Sequence, residues 1–83
     1  MVRLDFGLHG RFTLEGAVAS SSPLALITFH GTDGSVTQVG IDLDKRMLLG
    51  EAPMSLDALE VEDIASKMNH ERLRLISALA SVA

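Results

Sequence analysis

The chain has 83 residues, 47% of them apolar, no cysteine, and eleven acidic against seven basic side chains for a net charge of −4. That length allows one small domain spanning residues 1–83. The missing cysteines exclude disulfides, thiolate metal sites and thiol catalysis, and the apolar content excludes disorder.

The bases are scattered from Arg3 to Arg74, and three phenylalanines are the only aromatic residues. Nucleic-acid binding needs a basic stripe or stacking platforms, so no nucleic-acid partner is expected. No apolar run approaches the ~18 residues of a membrane span. The start, "MVRLDFGLHG", carries charge early and has no apolar h-region, so it does not read as a signal peptide. A cytoplasmic setting is the expectation. A chain this short is marginal as a monomer, and without disulfides oligomerisation is a natural remedy.

From Val2 to Val18 apolar residues and glycines fill the even positions and mostly polar ones the odd, the period-two signature of strands. A three-residue loop at His9-Gly10-Arg11 pairs Leu8 with Phe12, Phe6 with Leu14 and Val2 with Val18. One long strand bent at its glycines also fits the pattern. Either arrangement leaves His9 on or near the wet side. "ASSSPL" is a loop, and "LALITF" reads as a buried strand.

The stretch "FHGTDGSVTQVGIDLDK" carries one histidine and three aspartates. Nothing follows Gly31 or Gly34 as the G-x-x-x-x-G-K-[ST] of a phosphate loop before a helix requires, and the stretch lacks the ligand spacing of a calcium loop and a third ligand to join His30 and Asp33 on zinc. Asp33-Gly34 instead signals a hairpin with a two-residue turn. Counting outward pairs His30 with Thr37, Thr28 with Val39, Leu26 with Ile41 and Leu24 with Leu43 on one face. Ile27 and Phe29 then fall on the other face, where a helix or a second subunit must cover them. A three-residue loop at Asp44-Lys45-Arg46 would set Leu43 opposite Met47 and Ile41 opposite Leu49, closing the β region at residue 51.

Residues 55–83 contain no glycine or proline and read as helix, with Ser55 as the N-cap and acids clustered at the amino-terminal end. Val61, Met68, Leu75 and Val82 lie seven apart, and Ile64, Ala65, Ile76 and Leu79 broaden the stripe. Asn69 is a second possible cap, so the region is one long helix or two short ones. A single helix from Leu56 to Ala83 would be 28 residues, about 42 Å at 1.5 Å per residue, and would overhang so small a domain. His70-Glu71 opens like H-E-x-x-H, but Arg74 stands where the second histidine belongs.

The expected fold is therefore α+β: an antiparallel meander sheet of four to five strands, followed by one long or two short C-terminal helices packed on one face. The expected function is a non-enzymatic interaction or regulatory module acting as a homodimer, with Ile27, Phe29, Met68, Leu75 and Leu79 as contact residues. A small-ligand site or small enzyme between sheet and helix is the alternative, with His30 as its contact residue. No catalytic set, cofactor or metal is implied.

Overall fold

The computed structural model describes residues 2–82, with side chains described for residues 2–79. Five antiparallel strands lie in sequence order: β1 (Val2–His9), β2 (Phe12–Val18), β3 (Leu24–Gly31), β4 (Val36–Asp42) and β5 (Met47–Leu48). One helix, α1 (Ala58–Val82), follows and packs against β1, β2 and β5. The α+β meander is the one predicted from the sequence, with the helix in its single, long form. The side chain of Val82, and Ala83 as a whole, lie outside the described residues.

The strands pair in the predicted order, but in the three hairpins whose register the sequence suggests the pairing beside the turn is shifted by one residue. In the first hairpin Val2 pairs with Val18 as expected, yet His9 pairs with Phe12 and Gly7 with Leu14. A bulge at Phe6-Gly7 causes the change. Gly7 adopts φ +76°, where glycine carries no steric penalty, and the Asp5 carboxylate accepts its N–H at 2.8 Å. The extra residue rotates Leu8 outward, to 69% exposure, and brings His9 to the helix side.

The second hairpin pairs His30 with Val36, Phe29 with Thr37 and Ile27 with Val39, which corrects the register inferred from a two-residue turn. That turn would need positive φ at both Asp33 and Gly34, and only Gly34 has it, at +88°. The chain instead forms a type I turn closed by a glycine bulge. Gly34 N–H donates to Gly31 O at 3.0 Å, Gly31 N–H to Ser35 O at 2.8 Å, and Ser35 N–H to the Asp33 carboxylate at 3.0 Å.

The last hairpin shifts likewise. Ile41 pairs with Leu48 and Asp42 with Met47, because Asp42 accepts the N–H groups of Asp44 and Lys45 while Arg46 turns the chain at φ +56°. Met47 and Leu49 are thus half exposed rather than buried.

The corrected registers define the core. Leu14, Val18, Ile27, Phe29, Val39, Ile41 and Leu43 from the sheet region meet Ile64, Ala65 and Met68 of α1. Each large side chain fully buried there contributes about 1.5–3 kcal/mol. Phe12 packs edge-on to Phe29, centroids 6.3 Å apart. The helix cap is Asp57, not Ser55: its carboxylate accepts Glu60 N–H at 2.8 Å and its carbonyl accepts Val61 N–H at 3.1 Å.

Candidate interaction surface

Along α1 the core-facing line is sealed in the proximal half, where Leu59 alone of the large apolar side chains points outward, and opens in the distal half. Ile64, Ala65 and Met68 are 3%, 0% and 0% exposed, whereas Leu73, Ile76 and Leu79 are 53%, 41% and 63% exposed. Leu79 lies eighteen residues from Val61, five full turns, so it continues the core-facing line of the helix beyond its support. Between the halves sits Arg72, whose Nη1 donates to Asn69 Oδ1 at 3.4 Å and whose Nε is buried without a hydrogen-bond partner.

The five residues expected to make intermolecular contacts therefore separate. Ile27, Phe29 and Met68 are fully buried in the chain's own core, because α1 covers the face that carries Ile27 and Phe29. They offer no surface to a partner. Leu75 is half-buried and Leu79 exposed, both on the distal part of α1.

The opposite face of the sheet carries no helix. On it Glu15 stands between Arg3, at 3.6 Å, and His30, at 3.6 Å. Exposed pairs of this kind contribute little to stability. His30 thus lies on the far side of the sheet from α1, because it alternates with the buried Phe29 along β3, and takes no part in a site between sheet and helix; the one-residue shift at Gly34 takes Val39 and Ile41 from its face to that of Ile27 and Phe29. Beside this polar band lies an apolar corner. Ala17, Leu26 and Gly40 align across β2, β3 and β4, with Leu49 within 3.6 Å of where a Gly40 Cβ would stand. Leu24 and Met47 flank it on either side of Asp42, and both are about half exposed.

The histidine that does face the helix is His9. Its Nε2 lies 3.1 Å from Phe6 O, which can only accept, so that nitrogen carries the proton. Its Nδ1 is 4.0 Å from the Glu60 carboxylate. This pair ends a groove of about 630 Å³ between β1 and α1, floored by Leu4, Phe6 and Ile64. Asp63, Ser66 and His70 share its helical rim, but no hydrogen bond joins them, and Asp63 is held by Lys67 at 3.1 Å. No nucleophile–base pair is assembled there. Among the described residues no three histidine or carboxylate side chains converge on a point that would hold a metal ion. The turn aspartate Asp33 is held below its ordinary carboxylate range by the hydroxyl and N–H of Ser35.

The sequence signals for His9 and the distal helix were present in part. The seven-residue stripe reached Leu75 and Leu79, whereas the bulge that reorients His9 has no signature beyond Gly7 itself. No helix among the described residues is long and apolar enough to cross a membrane. No family model, no curated protein and no solved structure matches the chain.

Proposed function

We propose that the protein is a non-enzymatic, cytoplasmic interaction or regulatory module that acts as a homodimer through the distal half of α1. The observation that carries this reading is the continuity of the helix past its support. Twenty-five residues run unbroken, and the same helical side that is sealed at Met68 stands open at Leu79. Solvent-exposed apolar side chains in a helical line mark a contact surface. A second copy also adds burial to a domain of a size at which the buried fraction is small.

Sedimentation equilibrium at low micromolar concentration tests the reading. Wild type is expected at twice the chain mass, with thermal stability falling on dilution. Ile76→Glu and Leu79→Glu, both at exposed positions, are expected to give folded monomers. A compact wild-type monomer whose stability ignores dilution overturns the proposal.

A second reading places a small ligand in the groove between β1 and α1, supported by its volume, which falls in the range of small-molecule sites. His9 then replaces His30 as the contact residue. Thermal shifts with metabolite mixtures, lost in His9→Ala and kept in His30→Ala, are the expected result. No shift with any mixture removes the reading.

A further inference from the structure

We infer that the exposed half of α1 seats on the bare sheet face of a second copy, reciprocally, so that one two-fold axis buries an apolar ridge and an apolar corner that each chain leaves open. This rests on the homodimer reading and specifies its contact. Among the described residues, exposed apolar side chains cluster in the ridge of Leu73, Ile76 and Leu79 and in the corner formed by Leu24, Leu26 and Leu49 on the face away from α1, while Leu8, Val36 and Leu59 are exposed outside these two clusters.

Area argues against a tail-on-tail dimer. Three partly exposed aliphatic side chains remove only a few hundred Å² from water, about the size of an ordinary patch on a monomer. A stable interface takes about 800 Å² from each partner. Seating the ridge on the corner, twice, engages both surfaces of both chains.

Direction argues for the same pairing. α1 meets His9 at Glu60 and lies over Gly16 at Met68, so it travels towards the Val2–Val18 end of the sheet. Ala17, Leu24 and Met47 lie at that end too, on the opposite face. The helix is about 37 Å long at 1.5 Å per residue, and the molecule measures 45 × 24 × 17 Å. A two-fold axis in the plane of the sheet at this end turns the partner over. Its bare face then comes to the side on which the first chain's helix projects. The contact is made twice and closes, whereas a one-way seating of ridge on corner would propagate into filaments.

The absence of native cysteine makes the test clean. Single variants Ile76→Cys, Leu49→Cys and Leu24→Cys change exposed side chains. Equal mixtures of Ile76→Cys with either sheet variant are treated with a short bis-maleimide. The expected product is a mixed cross-linked dimer, at least tenfold more abundant than the Ile76→Cys self-linked species. Leu49→Glu is also expected to weaken dimerisation at least tenfold, as Ile76→Glu does. A wild-type dimer in which Ile76→Cys links only to itself, or to neither sheet position, overturns this seating and leaves the homodimer reading standing. Filaments in place of a dimer overturn the two-fold. A wild-type monomer overturns both.

Discussion

Phe6 and Met68 meet over the bare backbone of Gly16. The ring edge of Phe6 and the terminal methyl of Met68 lie 2.8 and 2.9 Å from where a Cβ on Gly16 would stand. The helix is set down on β2 at a point where the sheet has no side chain, and the bulged residue of β1 closes the contact from the side. Gly16→Ala is expected to cost about 1–3 kcal/mol by overpacking. Shortening the neighbour should relieve part of that cost, so Gly16→Ala with Met68→Ala should destabilise by less than the two changes summed. Urea unfolding of the four species measures the coupling.

The helix start separates two candidate caps. Asp57→Ala is expected to lose about 1 kcal/mol, because Glu60 N–H loses its acceptor. Ser55→Ala should stay within about 0.5 kcal/mol of wild type. Equal losses at the two positions would place the cap elsewhere.

At Gly7 and Gly34 nothing lies within 4 Å of an added Cβ, so any cost of substitution there is conformational rather than steric. Alanine at either position, with φ +76° and +88° respectively, should destabilise by about 1–2 kcal/mol. Asp5→Ala should add little on top of Gly7→Ala if the Asp5 carboxylate acts only to hold the bulge. Thermal unfolding of single and double variants decides this.

Asp33 titrates with a depressed pKa, so the folded state holds its proton less tightly than the unfolded state. Its contribution is fully present above the unfolded carboxylate value and is lost as pH falls through the lower folded value. Ser35→Ala removes the hydroxyl donor and should raise the Asp33 pKa towards the ordinary value, read by carboxyl NMR titration. An unchanged titration would show that the backbone N–H of Ser35 alone holds the charge.

Strands, their order and the helix were legible in the sequence, because period two and a glycine-free, alanine- and leucine-rich stretch each follow from backbone geometry. Faces were less legible. β3 carries large apolar residues on both sides, Leu24 and Leu26 on one and Ile27 and Phe29 on the other, so alternation alone does not say which is buried. Turn conformation breaks that tie, and it depends on a single φ at Gly34, Arg46 or Gly7 that composition does not specify. One residue at the second hairpin moved Val39 and Ile41 to the face of Ile27 and Phe29, which α1 covers as core and which leaves His30 on the bare face, and the extra residue at the Phe6-Gly7 bulge moved His9 to the helix. The helix itself follows directly from the sequence, because its spacing and its freedom from glycine and proline do not depend on any turn.

The order of elements also constrains how the chain is made. All five strands precede Ile64, Ala65 and Met68, so on the ribosome the meander emerges with its apolar interior open until the last third of the chain follows. Hairpins between sequence neighbours form quickly, but here they form a surface without a lid. A nascent chain stalled before the helix would present Phe29, Ile27 and Ile41 to solvent, the kind of exposure chaperones recognise.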